Sequence, residues 1–147
     1  MRQEHPKWTK ILIAYYGLLQ SLHLWVLIRA GAILMVENQH PFPILPPPGG
    51  WSPQTMPFLV GLGITDSVGI LLGMVFAYQF FANRRLNRRM GVISLTIFIT
   101  GAIVFGIGTV FAGAWAAHPL AYSVMAVLFI PTPVLYIWLL VSNLNRK

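Results

Sequence analysis

The chain has 147 residues, with ten Lys+Arg against three Asp+Glu and a formal net charge of +7. It is 56% hydrophobic and only 9% charged, where a typical soluble domain carries about 25% charged residues. That composition excludes a water-soluble globular fold and indicates a small polytopic membrane protein, a single domain over residues 1–147. The absence of cysteine excludes disulfides, thiolate metal sites, c-type haem attachment and a Cys nucleophile.

Four apolar runs follow one another, at residues 11–36, 56–81, 91–113 and 120–142. Each reaches the ~20 residues an α-helix needs to cross a hydrocarbon core of ~30 Å. Barrel strands would read as alternating segments of about ten residues, and none is present. The expected fold is therefore an all-α integral membrane bundle of four transmembrane helices.

The first run opens on Arg2, Lys7 and Lys10, as a signal peptide would. Its apolar stretch exceeds the ~7–15 residues of a signal sequence, and Gln20, His23 and Arg29 interrupt it, so a retained span is expected. Tyr16, Gln20 and His23 are spaced by four and three, which puts them on one helix face. Arg29 is a charge inside a span, which is costly and marks pairing or function.

Residues 37–55 form an outer loop, ENQHPFPILPPPGGWSPQT, with six of the eleven prolines. Prolines at this density forbid a helix and favour extended geometry, and Gly49–Gly50 supplies a turn. Phe42, Ile44, Leu45 and Trp51 make it apolar, so it reads as a loop folded over the bundle mouth or into the headgroups. A lid or partner-docking segment is the sharper alternative.

The second run contains Asp66. Counting at 1.5 Å per residue puts Arg29 about 10 Å and Asp66 about 13 Å from the outer end of their helices. On depth alone the two should form a buried ion pair, either a structural bridge or a ligand site. Gly69 and Gly73 make a G-x-x-x-G stripe that Ala77 extends, a small face for close helix packing.

Residues 82–90 are a basic turn with Arg84, Arg85, Arg88 and Arg89. Nine of the ten basic residues fall on the side of this turn and the termini. The positive-inside rule makes that side cytoplasmic, so both termini are expected inside. Topology accounts for the turn without a nucleic-acid partner.

The third run offers Gly101, Gly108 and Ala112 as a further small face, with Thr100 near the level of Gln20. In the fourth run Pro131 and Pro133 flank Thr132, predicting a kink that bares the carbonyls of Val127 and Phe129. Arg29 could use such a carbonyl. Together Asp66, Arg29, His23, Thr132, Gln20 and Thr100 could form a polar seam, as ordinary interhelical hydrogen bonds or as a proton relay.

No zinc spacing, nucleotide loop or hydrolase motif occurs. Cofactors are left open, including a pigment or haem held between two copies. The leading reading is a non-catalytic polytopic membrane protein, an accessory subunit of a larger complex or a binder of lipid or another apolar ligand. Its candidate site is Arg29, Asp66, His23, Gln20 and Thr132. The alternative is a small oligomeric transporter or channel component using Asp66 and His23. A membrane enzyme acting on a lipid or quinone is third. Expected partners are the bilayer and either other membrane subunits or further copies of the chain.

Overall fold

A computed structural model describes residues 6–37, 45–83 and 85–144. Arg2, Arg84, Arg146, Lys147 and residues 38–44 of the outer loop lie outside the described residues. Among those described, every regular element is a helix: α1 (Lys7–Glu37), α2 (Thr55–Ala82), α3 (Arg88–Phe111), the single turn α4 (Ala114–Ala117), α5 (Pro119–Phe129) and α6 (Pro131–Leu144). Four stretches are long and apolar enough to cross a membrane, Lys7–Ile33, Pro57–Ala82, Arg88–Phe111 and Pro119–Ser142, the last made of α5 and α6. The chain is a multi-pass membrane protein.

Polar residues start and stop these helices. Ser52 Oγ accepts the Thr55 N–H at 3.1 Å, beginning α2. Asn87 Oδ1 accepts from Met90 N–H at 3.3 Å, capping α3, a standard use of Asn. Asn87 Nδ2 also donates to Gln79 Oε1 at 3.2 Å, which ties the α2–α3 turn together. Gly113 ends the α3 region with φ +79°, the left-handed conformation that glycine tolerates best.

The spans form a four-cornered bundle in which α1 lies beside α2, α2 beside α3, α3 beside α6 and α6 beside α1. One end gathers the helix starts and ends nearest the termini. There Trp8 meets Trp138 edge-on at 5.4 Å, and Arg88 Nη1 donates to the Ser142 carbonyl at 2.5 Å. We call this the basic end. At the opposite, loop end Tyr122 Oη donates to Leu45 O at 2.9 Å and His118 Nε2 contacts Pro46 O at 3.0 Å. This part of the Pro-rich loop therefore docks on the bundle rather than standing in solvent.

The two halves pack differently. The buried apolar cluster, including Ile13, Tyr16, Phe76, Leu95, Phe98, Leu135 and Leu139, fills the basic half. Close approach there depends on glycine: a Cβ on Gly91 would lie 2.8 Å from the Phe76 ring, and one on Gly69 2.8 Å from Ile97. Lipid tails are as apolar as these side chains, so such van der Waals fit is what drives the helices together. Toward the loop end the glycines are mixed: a Cβ on Gly108 would lie 3.1 Å from the Phe58 ring, while half-buried Gly31 and Gly106 and exposed Gly61 have nothing within 4 Å of that position. Among the described residues, α5 approaches only α4 and α6 to within 8 Å between Cα atoms. Tyr122 is its one fully buried residue.

The fourth span is divided at Ile130, before Pro131. Pro131 and Pro133 have no N–H for the carbonyls of Val127 and Phe129. Ile130 N–H supplies Val127 O at 3.2 Å, and Thr132 Oγ1 supplies Phe129 O at 2.7 Å. Tyr15 Oη donates to the neighbouring Leu128 O. Arg29 takes no part in this repair, contrary to the expectation from its depth.

Candidate functional site

The inward face of α1 carries Thr9, Ile13, Tyr16 and Gln20, all fully buried, with His23 half-buried one turn on. The face recurs at spacings of three and four, as an inward stripe must. Opposite it, Gly73 leaves room that a side chain would occupy. A Cβ there would lie 2.9 Å from Gln20 Cγ, 2.9 Å from Ser94 Oγ and 3.0 Å from Tyr16 Oη. Gly73 thus lets polar groups from α1 and α3 meet against the backbone of α2.

Ser94 ties this junction. Its Oγ donates to Gly69 O at 3.0 Å and lies 2.5 Å from Tyr16 Oη. Since the single Ser94 proton goes to Gly69, Tyr16 is the donor in the shorter contact. One turn along α3, the Phe98 ring packs against Tyr16 (5.9 Å), His23 (5.3 Å) and Phe129 (5.4 Å between centroids). One turn further, Gly101 brings its Cβ position to 3.7 Å from Asp66 Oδ1. Asp66, Gly69 and Gly73 share a face of α2, so Asp66 stands about 10 Å above Gly73 toward the loop end.

Besides Thr9 Oγ1 nearer the basic end, four polar atoms around this junction are buried without a hydrogen-bond partner: Gln20 Nε2 and Oε1, His23 Nδ1 and Asp66 Oδ1. Each such atom costs about 1–3 kcal/mol when it is left unsatisfied. The arrangement is thus a polar waist with two donor–acceptor links made and four atoms free, directly below the loosely packed half.

Arg29 is not part of it. Its side chain is exposed on the helix surface, and among the described residues no ion pair or hydrogen bond reaches Asp66. The reason is angular. From Gln20 to Arg29 is nine residues, about 900° of helix, which is half a turn beyond two complete ones. Arg29 therefore faces away from the side that Gln20 buries. An exposed Arg on a lipid-facing flank lowers its cost by extending its stem toward the headgroups.

The remaining candidates scatter. Thr132 is buried, but its hydroxyl is committed to Phe129 O, and Thr100 is exposed. Gly69 faces Ile97 of α3, and Gly17 of α1 approaches Ala77 so closely that a Cβ would lie 2.8 Å from it. Beside that contact lies a surface groove of about 480 Å³ between α1 and α2, lined by Ala14, Ser21, Met74 and Tyr78 among others. At the basic end, Arg85 and Arg89 are exposed and Arg88 holds the end of α6. Among the described residues no three His, Cys, Asp or Glu side chains gather as a metal site would need.

Ser94 and Phe98 are the site residues that sequence reasoning missed. The signal was available, since Ser94, Phe98 and Gly101 follow at spacings of four and three, the same pattern as Tyr16, Gln20 and His23. Compared with protein-family models, curated proteins and solved structures, the chain matches none. The fold and site define a class, a four-span helical membrane protein with a polar waist, and its function has to be argued from that waist.

Proposed function

We propose that the chain is a non-catalytic membrane protein that binds a lipid-like amphiphile inside its bundle. The observation carrying this is the set of four unpartnered polar atoms on Gln20, His23 and Asp66, at the floor of a loosely packed half. A ligand whose head hydrogen-bonds to these atoms would offset their burial cost, and its apolar body would fill the space toward the loop end. Ligand sites between bundle helices have this composition, mostly apolar with a few polar groups.

The transporter reading has less support. Below the waist Gly91 packs closely against Phe76 and Leu139 and an apolar cluster fills the described basic half, which disfavours a water-filled path. In this proposal both termini face the cytoplasm, as the concentration of Lys and Arg at the basic end favours.

The test is native mass spectrometry of the chain after mild extraction, with solvent extraction of bound small molecules. The expected result is one retained lipid-like mass per chain, lost in Gln20→Leu. A chain that carries no small molecule, and instead holds other polypeptides at fixed stoichiometry, would overturn the proposal in favour of an accessory subunit.

A further inference from the structure

The charge and donor balance of the waist names the ligand's head, an inference that rests on the binding function just proposed. Asp66 is the only acid within the four spans. Arg29, the only basic residue in the body of a span, is exposed on the opposite side of α1, so no cation of the described chain compensates Asp66. The free atoms lean toward acceptance. Asp66 Oδ1 and Gln20 Oε1 accept, His23 Nδ1 accepts in its Nε2–H tautomer, and only Gln20 Nε2 must donate. An anionic head would meet the carboxylate and be repelled.

The walls point the same way. Phe98 lies one turn from Gly101, which faces Asp66, and is itself surrounded by Tyr16, His23 and Phe129. A carboxylate beside grouped aromatic rings suits an organic ammonium, which gains from both. An inorganic cation such as Ca²⁺ wants about six to eight oxygens, and the waist offers one carboxylate among aromatic rings. We propose that the ligand is a protonated alkylamine. Its N–H donates to Asp66, its charge lies near the Phe98 ring, and its apolar chain runs toward α5 and the loop end.

The test uses the full chain in phosphatidylcholine nanodiscs, with binding measured in excess of protein-free discs. The probes are N,N-dimethyldodecylamine at a pH where it is protonated and dodecan-1-ol as a neutral partner of the same chain length. Wild type should bind one amine per chain, saturably and about tenfold or more tighter than the alcohol, the scale of one charge-assisted hydrogen bond. Asp66→Asn should remove the preference and Asp66→Glu should keep it. Saturable binding of both probes with equal affinity would overturn the ammonium head while leaving the amphiphile reading intact. Saturable binding of neither would overturn both. The preference surviving in Asp66→Asn would also overturn it. Should Asp66→Asn fail to fold, the wild-type comparison of the two probes decides.

Discussion

Gly73 is tightly enclosed at the waist, because three side-chain atoms lie within 3.0 Å of where its Cβ would be. Two of those atoms, Ser94 Oγ and Tyr16 Oη, are hydrogen-bonded to each other, so neither can move without loosening the junction. Gly73→Ala should therefore cost about 1–3 kcal/mol, the usual range for overpacking. Gly31 has open space at the same position, and it lies in the interior of α1. Gly31→Ala should be neutral or gain up to about 1 kcal/mol from helix propensity. Thermal unfolding of both variants in one detergent checks the contrast. Equal effects would mean that the two halves are packed alike.

At the scale of the element, the helix turn decides which polar residues meet. The face of Tyr16, Gln20 and His23 was legible in the sequence because equal spacing reports direction around the axis. Matching Arg29 to Asp66 used depth alone, and depth says nothing about azimuth. Counted from Gln20, the same sequence places Arg29 on the far side, as the structure does. Ser94 escaped notice for another reason: a lone serine in an apolar helix usually bonds back to its own backbone, and only its neighbours on α1 and α2 reveal the cross-helix link. The repair of the fourth span was legible only in part. The prolines announced which carbonyls lose their donors, while Thr132 and Tyr15 as substitute donors depend on packing.

This angular argument has a measurable consequence. Residues on opposite sides of a helix, with no shared partner, contribute independently to stability. Arg29→Ala and Asp66→Ala should add in the double variant to within about 0.5 kcal/mol. A double variant markedly more stable than that sum would restore the ion pair. Reversible unfolding of the four proteins in one detergent reads the coupling directly.

For the whole molecule, the four spans were legible from hydropathy because a bilayer demands length and apolarity and little else. The unequal packing of the two halves was not, since it arises where the α5 backbone stays beyond 8 Å from those of α1, α2 and α3 and meets them only through side chains, as at Leu128 and Phe129, a distance no single span encodes. Orientation across the membrane is the remaining property at this scale, and charge governs it. Lys7, Lys10, Arg85, Arg88 and Arg89 lie at the basic end, whereas the described part of the loop end, residues 45–54, carries no Lys or Arg. Positive charge near span ends is held on the cytoplasmic side during insertion. The chain has no cysteine, so single-cysteine variants label without background. Gln54 and Asn83 are exposed at opposite ends of α2, and neither side chain supports a cap or a helix contact among those described. Gln54→Cys should react with a membrane-impermeant maleimide in intact cells, and Asn83→Cys only after the membrane is opened. The reverse pattern would invert the protein and place the loop end on the cytoplasmic side. Labelling of both in intact cells would mean that α2 does not cross the bilayer, and the bundle as described could not be the membrane form.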